Sequence, residues 1–330
     1  MDYSLERKNI MGKILVSASH FDTLCIEAKE LLEKHGHEVI FDPNRKFPSY
    51  SFEELKNIIG DIDAALIGMD LYNEDVFKIA PQLKAVAKFG VGVDNIDGEA
   101  AKKYGIKVLN APGQNSNAVA ELTVCFMIDI LRKVIPLHKQ MEQGLWPRNI
   151  GNEIKGKTVG LLGFGAIARM VAEKLIGFGV HVIAYDLFAN DEKAKALNVT
   201  MTSMEEVISK SDIVSIHIPA TPETYHIFND ELIAKMKTGS YLINAARGAL
   251  VDLDSLSRAL KTGHISGAAL DAFEVEPLPK DSAILSCENI VLTPHTGAET
   301  KEAYRNVSLC TAKDIIAVLE GKEPEFWVNK

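Results

Sequence analysis

The chain has 330 residues, of which 47% are hydrophobic and 25% are charged. This length predicts two domains, each large enough to bury a hydrophobic core of its own. With 36 basic and 45 acidic residues the formal net charge is −9, which excludes broad electrostatic binding to nucleic acid.

No apolar run approaches the ~20 residues that a membrane span needs, and the first nine residues are too polar for a signal peptide. We therefore expect a cytoplasmic protein without membrane contact. Either Met1 or Met11 fits as the start of the protein. The four cysteines are scattered, without the CxxC spacing of metal or redox sites, so we expect reduced thiols and no bound metal.

The first third of the chain alternates short apolar runs with segments of helical spacing. Runs of strand length occur at Lys13–Ala18, His37–Phe41, Ala64–Met69, Leu83–Ala87 and Ile106–Leu109. Helices are predicted over Phe21–His35, which Gly36 would end, and over Ser51–Ile59, which opens at a serine cap. Such alternation predicts a parallel sheet covered by helices.

The alternation is interrupted by one long helical segment and then resumes. Ala118–Gln143 has the pattern of a single helix, in which Pro136 is expected to cause a kink or a split. Six further strands are predicted at Thr158–Leu162, His181–Tyr185, Ile213–Ile218, Tyr241–Asn244, Gly267–Leu270 and Ile290–Leu292. A last helix is predicted over Lys301–Glu320. Six strands with intervening helices are the number expected of a dinucleotide-binding fold.

The segment Lys157–Ala168, KTVGLLGFGAIA, joins a buried strand to a helix through a glycine-rich turn. Gly163, Gly165 and Ala168 match the G-x-G-x-x-G/A pattern, which combines a tight turn, close approach of a pyrophosphate and close helix–strand packing. Asp186 ends the next strand, 23 residues after Gly163. A carboxylate there accepts hydrogen bonds from ribose hydroxyls and repels a 2′-phosphate. The pattern predicts a site for NAD rather than NADP, with a glycine turn that binds no ligand as the alternative.

Three further segments follow in order: Asn244–Asp252 (NAARGALVD), Leu270–Pro277 (LDAFEVEP) and Thr293–Glu299 (TPHTGAE). Singly, an arginine after a strand, a Glu-Pro pair and a histidine before Thr-Gly are ordinary surface, loop and capping residues. Together, behind this fingerprint, they resemble the signature segments of the D-2-hydroxyacid dehydrogenases. The resemblance extends from about residue 13 to the C-terminus, and the phosphoglycerate dehydrogenase branch is the most similar.

The resemblance implies NAD-dependent hydride transfer between nicotinamide C4 and C2 of a small 2-hydroxy or 2-keto acid. Arg247 resembles the arginine that holds the substrate and polarises its carbonyl, for which a planar guanidinium suits better than an ammonium. His295 resembles the general acid/base. Glu276 resembles the carboxylate that orients the imidazole and favours its protonated form.

The same resemblance implies further contacts to the cofactor. Asp271 would bind the nicotinamide carboxamide, although alone it would be a strand-end cap. Ala245 and Ala246 would line the ring pocket, and Ile218 with Pro219 the adenine side. The expected cofactor-binding residues are Gly163, Gly165, Ala166, Ile167, Asp186, Ile218, Pro219, Ala245, Ala246, Arg247, Asp271, His295 and Gly297.

The stretch Lys88–Asp97, KFGVGVDNID, resembles the substrate loop of the family. Its glycines would let consecutive backbone N–H groups face an anion, so the amides of Val91 and Gly92 are assigned to the substrate carboxylate, with Arg247 as a further substrate contact. Asn95 should brace the loop. A plain tight turn is the alternative.

Two cations occupy positions where the phosphoglycerate branch often has cations. Lys88 precedes the loop and Arg148 follows Trp146-Pro147. Together they would hold a substrate phosphate, although lysine lacks the two-pronged geometry of arginine. Solvated surface charges are the alternative.

The resemblance also implies the domain organisation. The fold class is α/β, with two doubly wound parallel-sheet domains. A Rossmann NAD-binding domain, residues 113–297, is inserted into a flavodoxin-like substrate-binding domain formed by residues 1–112 and 298–330. The apolar segment Val119–Leu137 resembles the dimer helix of the family, so a homodimer is expected. Because the chain ends soon after its last helix, the C-terminal regulatory domain of long phosphoglycerate dehydrogenases, with its feedback by serine, is not expected.

Several functions share these motifs. The resemblance favours an enzyme like D-3-phosphoglycerate dehydrogenase, which would act at the entry to serine biosynthesis. Glyoxylate or hydroxypyruvate reductase and D-lactate dehydrogenase are alternatives, whereas the formate dehydrogenase branch pairs its histidine with glutamine instead of a residue like Glu276. An NAD-sensing corepressor is the alternative outside the enzymes.

Overall fold

The computed structural model describes residues 11–45, 49–188 and 191–330. The chain forms two compact units. One consists of the described residues up to Asn115 together with Ala298–Lys330, and the other is Ser116–Gly297. The second unit is thus inserted into the sequence of the first. The first boundary between the units lies after residue 115, three residues later than the predicted boundary after residue 112.

The first unit is built on a parallel sheet. Its strands in the described residues are β1 Gly12–Val16, β2 His37–Phe41, β3 Ala64–Ile67, β4 Ala85–Lys88 and β5 Lys107–Leu109. Their order, β2-β1-β3-β4-β5, is that of flavodoxin-like folds. The five predicted strands are confirmed. They read as continuous apolar runs because helices cover both faces of the sheet, and all four residues of β3 are buried.

In the part of the chain that the structure describes, the α-helices between these strands are α1 Phe21–Leu24, α2 Ile26–Lys34, α3 Phe52–Ile58, α4 Glu74–Lys78 and α5 Gly98–Lys103. Ser51 caps α3 as predicted, because its hydroxyl accepts a hydrogen bond from the Glu54 N–H while the Glu54 carboxylate accepts one from the Ser51 N–H. The single helix predicted over Phe21–His35 is wrong. Cys25, with φ of −116°, leaves the helical conformation and separates α1 from α2.

The second unit has a seven-stranded parallel sheet in its described residues. The strands are β6 Thr158–Leu162, β7 His181–Tyr185, β8 Val199–Met201, β9 Ile213–Ile216, β10 Ser240–Asn244, β11 Ile265–Leu270 and β12 Ile290–Leu292. The order β12-β11-β10-β9-β6-β7-β8 is the Rossmann order with one strand added. The six predicted strands are present, and β8 was missed. The strand order reverses between β6 and β9, and ligands of such folds bind at this point.

The helices of the second unit are α6 Ser116–Arg132, α7 Val134–Glu142, α8 Ala166–Leu175, α9 Asp191–Ala196, α10 Met204–Lys210, α11 Asp230–Ala234 and α12 Leu253–Thr262. The long predicted helix is split, but at Lys133, which adopts a left-handed φ of 55°. Pro136 lies in the first turn of α7, where no intrahelical N–H bond is lost. The chain returns to the first unit with α13, Lys301–Leu319, as predicted. Among the described residues, no helix is both long and apolar enough to cross a membrane.

Candidate active site

The glycine-rich turn follows β6 at the point where the strand order reverses. Gly163 has φ of 97°, in the region that favours glycine. A Cβ atom at this position would lie 2.6 Å from the carbonyl oxygen of His217, which follows β9. Only glycine therefore fits here, because the two strand ends approach each other too closely for a side chain.

The helix after the turn is preceded directly by a glycine. Gly165 precedes α8 with extended backbone, and Ala166 and Ile167 form the first turn. Ala168 is fully buried in the core between helix and sheet. A Cβ atom on Gly165 would meet no atom within 4 Å, so the packing of the protein itself does not require glycine there. The open space over a helix N-terminus fits a dinucleotide pyrophosphate.

Asp186 binds the same turn. One carboxylate oxygen accepts a hydrogen bond from the Phe164 N–H at 2.6 Å, and the other accepts one from the Phe188 N–H at 2.8 Å. The backbone continues the connection, because the Gly163 N–H donates to the Tyr185 carbonyl at 2.8 Å. The carboxylate thus lies beside the glycine-rich turn, where a ribose is bound in this type of fold. Its bond to the turn was not foreseen from the sequence.

The chain after β9 forms the other side of this crevice. His217 was not singled out from the sequence, although its carbonyl is what excludes a side chain at Gly163. Burial lowers the pKa of His217 to about 4, so its ring is neutral, and its Nε2 lies 2.9 Å from the Ser215 hydroxyl. Ile218, half-buried, and Pro219, exposed, follow directly. Both predicted cofactor contacts are therefore at the carboxyl edge of the sheet.

The turn after β10 is held by a buried asparagine. The Asn244 side chain accepts a hydrogen bond from the Ala246 N–H at 3.0 Å and donates one to the Arg247 carbonyl at 2.8 Å. Ala245 and Ala246 form the half-buried middle of the turn. The Arg247 guanidinium donates to the Ala246 carbonyl at 2.8 Å. Asn244 is a structural residue of the site that sequence reasoning did not single out.

Gly248 brings this turn into contact with the segment after β11. A Cβ atom at Gly248 would lie 1.9 Å from the carbonyl carbon of Phe273 and 2.2 Å from the nitrogen of Glu274. The two backbones touch, which no other residue type allows. The contact places Arg247 and Glu276, predicted from separate motifs, at one edge of the sheet.

Glu276 and His295 form a hydrogen-bonded pair. The Nδ1 atom of His295 lies 3.0 and 2.9 Å from the two carboxylate oxygens, and the Phe273 N–H donates to one of them at 2.9 Å. The hydrogen bond to Glu276 raises the pKa of His295 against the opposing effects of burial and of the Arg247 charge. Burial alone would raise the pKa of Glu276, but the bonds from His295 and Phe273 outweigh it and lower that pKa. The pair favours a protonated imidazole beside an ionised carboxylate.

Asp271 holds the turn that carries His295. This carboxylate is only 2% exposed, and it accepts hydrogen bonds from the Thr296 N–H at 2.8 Å, the Gly297 N–H at 2.7 Å and the Thr293 hydroxyl. His295 itself adopts a left-handed φ of 54° within this turn. The predicted cofactor contacts Asp271 and Gly297 are therefore bonded to each other, and together they fix the backbone at His295.

The glycine-rich loop of the first unit follows β4. Gly90 has φ of 150°, which a side chain would disfavour. Within the described residues, the N–H groups of Val91 and Gly92 donate no hydrogen bond. Two adjacent unbonded donors at a strand end are suited to an anion such as a carboxylate.

Lys88 braces this loop. Its ammonium group donates to the Gly68 carbonyl at 2.6 Å and to the Asn95 side-chain oxygen at 3.1 Å. Asn95, as expected, braces the loop too, because its amide donates to the carbonyls of Gly68 and Asp70. These contacts do not favour the expected phosphate contact from Lys88. Arg148 lies in the second unit, in the exposed connection after α7.

Known proteins resemble this chain along most of its length. A family model described as "D-isomer specific 2-hydroxyacid dehydrogenase, NAD binding domain" matches residues 124–297. The glyoxylate reductase of Thermofilum pendens is 41% identical over 301 residues, covering 89% of this chain and 88% of that relative. The D-3-phosphoglycerate dehydrogenase of Methanocaldococcus jannaschii is 38% identical over 323 residues, covering 97% of this chain. This chain spans only 60% of the length of that dehydrogenase.

Solved structures give the same result. The apo-structure of D-lactate dehydrogenase from Escherichia coli matches with a TM-score of 0.84 at 27% identity, covering 96% of this chain and 99% of that chain. The matched family model identifies an NAD-binding domain, which lies within the second unit.

Replacing Asp186 should change the choice between NADH and NADPH. In Asp186→Ser the ribose loses a charged acceptor and a 2′-phosphate loses a repelling charge. We expect kcat/KM with NADH to fall about 10- to 100-fold, as for the loss of a hydrogen bond to a charged group, and kcat/KM with NADPH to rise. Steady-state kinetics with both cofactors measures this. Asp191→Ser, an exposed carboxylate at the start of α9, is the control. An unchanged NADH to NADPH ratio in Asp186→Ser would contradict the assignment.

Proposed function

The chain belongs to the D-isomer specific 2-hydroxyacid dehydrogenase family, NAD-dependent oxidoreductases of CH–OH donors, and from this premise we propose that His295 is its general acid/base. The observation that carries the proposal is the pair of contacts, at 3.0 and 2.9 Å, between His295 Nδ1 and the Glu276 carboxylate. An acid/base needs a fixed tautomer and orientation. Because Glu276 binds Nδ1, Nε2 is the ring nitrogen that exchanges a proton with the substrate.

In the reductive direction the substrate is a 2-keto acid. When bound, NADH supplies a hydride to its C2 carbon, and negative charge grows on the carbonyl oxygen. The Arg247 guanidinium stabilises this charge, and protonated His295 gives its Nε2 proton to the oxygen. The N–H groups of Val91 and Gly92 are proposed to bind the substrate carboxylate. In the oxidative direction, neutral His295 removes the hydroxyl proton.

The role of Glu276 predicts a pH effect in the reductive direction. A histidine with a raised pKa supplies its proton at pH values below that pKa, and activity is lost as pH rises through it. In Glu276→Gln the main cause of the raised pKa of His295 is absent. We therefore expect the alkaline limb of kcat/KM for the keto acid to move to lower pH. His295→Gln should lower kcat by about 10²- to 10⁴-fold.

The control for this prediction is Glu288→Gln, an exposed carboxylate in the connection between β11 and β12. It should keep the pH profile of the unchanged protein. If Glu276→Gln kept that profile as well, or if His295→Gln turned over at a near-normal rate, the proposed acid/base pair would be wrong.

We propose further that the preferred substrate is a short 2-keto acid without a phosphate group, such as glyoxylate. The Lys88 ammonium is engaged with the Gly68 carbonyl and Asn95. The large apolar side chains exposed on the loops after β3 and β4 are those of Met69, Leu71 and Val91. Apolar groups near a bound phosphate would leave its charge without partners. One of the relatives is a glyoxylate reductase, and this chain matches 88% of the length of that protein.

A phosphorylated substrate is the second candidate. It is supported by the 38% identity with a D-3-phosphoglycerate dehydrogenase and by the exposed guanidinium of Arg148. Hydroxypyruvate and pyruvate, the substrates of the remaining sister activities, differ from the phosphorylated acid in lacking this charge.

Substrate preference is tested by NADH oxidation with glyoxylate, hydroxypyruvate, pyruvate and phosphohydroxypyruvate. We expect kcat/KM for the best unphosphorylated acid to exceed that for phosphohydroxypyruvate by at least about 10-fold. A phosphate without a cationic partner needs to weaken binding by only about 1.4 kcal/mol to lower kcat/KM tenfold. The opposite preference, lost selectively in Arg148→Gln, would establish a phosphate site instead. Binding of NADH without turnover of any acid would favour the NAD-sensing protein.

We also propose a homodimer formed through the region of α7. None of the residues of α7 is buried. The large apolar side chains exposed on this helix and the following connection are Val134, Ile135, Met141, Leu145, Trp146 and Ile150. An apolar group of this extent is typical of a surface that another protein covers. A second copy of the chain is the partner proposed for this surface. Of the expected dimer helix, Val119–Leu137, only the end from Val134 belongs to α7, because most of the rest is α6, which is largely buried in its own unit.

Light scattering should therefore give twice the chain mass of 36.2 kDa. Trp146→Ser combined with Ile150→Ser should shift the protein towards the monomer. The two side chains are 79% and 91% exposed in the single chain, and their loss would remove apolar contacts with the second copy. Leu187→Ser, an exposed apolar residue elsewhere in the second unit, is the control. A monomer at micromolar concentration would overturn the proposal.

A further inference from the structure

A second carboxylate on the turn that carries Glu276 has two partners of its own. One oxygen of Glu274 accepts a hydrogen bond from the Tyr225 hydroxyl at 2.7 Å. The other lies 2.7 Å from Nε2 of His226. We name this group, Glu274 with Tyr225 and His226, the Glu274 clamp. It lies in the second unit, and the proposed proton transfer does not use it.

The two aromatic partners are fixed in place. Their rings stack with centroids 4.0 Å apart and planes 15° apart. His226 adopts a left-handed φ of 47°, and its backbone N–H donates to the Ala249 carbonyl at 2.8 Å. Two residues later, Phe228 forms a parallel bridge with Val251. The base of the clamp is therefore bonded to the segment that directly follows Arg247.

The turn is also constrained from a second side. Gly248 leaves room for the backbone of Phe273 and Glu274 only because it has no side chain. The same two residues are thus packed against Gly248 and tied to the clamp. The Phe273 N–H, between these constraints, donates to Glu276 at 2.9 Å.

We propose that the Glu274 clamp is a positioning device that holds the Glu276 carboxylate at hydrogen-bond distance from His295. The inference rests on the proposed role of Glu276 as the partner of the acid/base. If the clamp opened, the backbone at Phe273 would keep only its contact with Gly248, and the Glu276 carboxylate bonded to it would be held less firmly beside His295. The clamp acts through Glu276 and does not touch the reacting atoms.

Neighbouring groups affect the pKa of both His295 and Glu274. The charged groups that act on His295 are Glu276, Asp271 and Arg247. The groups that act on Glu274 are Tyr225 and His226, through hydrogen bonds, and Asp252, through its charge. Hydrogen bonds from Tyr225 and His226 lower the pKa of Glu274, so its carboxylate is ionised at neutral pH. Removal of Glu274 therefore changes both a charge and a set of hydrogen bonds, and the experiment has to separate the two.

The test compares Glu274→Ala, Glu274→Gln and Tyr225→Phe in the reductive assay across pH, with Glu288→Ala as the control. Glu274→Ala should lower kcat by about 10-fold, as for the loss of a group that orients a reactive histidine, and should leave KM for NADH unchanged. Its alkaline limb should move to lower pH, as in Glu276→Gln. Glu274→Gln keeps an acceptor oxygen without the charge, and should retain most of the normal profile. Tyr225→Phe keeps the charge and the stacked ring, and should move the limb less far in the same direction.

Each outcome decides the proposal. A normal alkaline limb in Glu274→Ala would overturn it, even if the variant melted at a lower temperature. An equal shift in Glu274→Gln and Glu274→Ala would also overturn it, because charge alone would then account for the effect. If Glu274→Ala did not fold, a normal limb in Tyr225→Phe would count against the clamp. A normal limb in Glu276→Gln would instead remove the proposed function on which the clamp depends.

Discussion

The backbone contact at Gly248 is the constraint on which the candidate active site of the second unit depends. Because β10 and β11 are neighbours, the turns that leave them run side by side. Any side chain at Gly248 would begin 1.9 Å from the carbonyl carbon of Phe273, so glycine alone lets the turns touch. Arg247 precedes the contact on one turn, and Glu276 follows it on the other. The parallel sheet determines which residues meet, and the absence of one side chain determines how closely.

Most of the architecture could be predicted, because strands buried on both faces are continuous apolar runs that glycines and polar turns separate. The exceptions have local causes. In Val199–Met201, which forms β8, only one of three residues is buried, so no apolar run marks the strand. The break at Lys133 has no sequence signal, since lysine rarely adopts a left-handed φ. Pro136 gave a strong signal for a break, but a proline in the first turn of a helix is tolerated.

The pairing of His295 with Glu276 could be predicted from motifs, but the groups that hold the pair could not. Asp271 fixes the turn of His295 because it accepts hydrogen bonds from the backbone N–H groups of Thr296 and Gly297. The motif around Glu274 gives no sign of its partners, because Tyr225 and His226 lie in a loop that is distant in sequence. Hydrogen bonds between distant segments depend on the tertiary fold, and the spacing of residues along the chain does not reveal them.

The bond from the Phe164 N–H to Asp186 has a consequence for how this protein could change during evolution. The carboxylate proposed to select the ribose also accepts a hydrogen bond from the glycine-rich turn, at 2.6 Å. A substitution that admits a 2′-phosphate therefore leaves a turn amide without its acceptor, at a cost of about 1–3 kcal/mol if the amide is buried. A lineage moving towards NADP would need a second, compensating change that supplies a new acceptor. Cofactor preference in this fold is consequently inherited together with the stability of the turn.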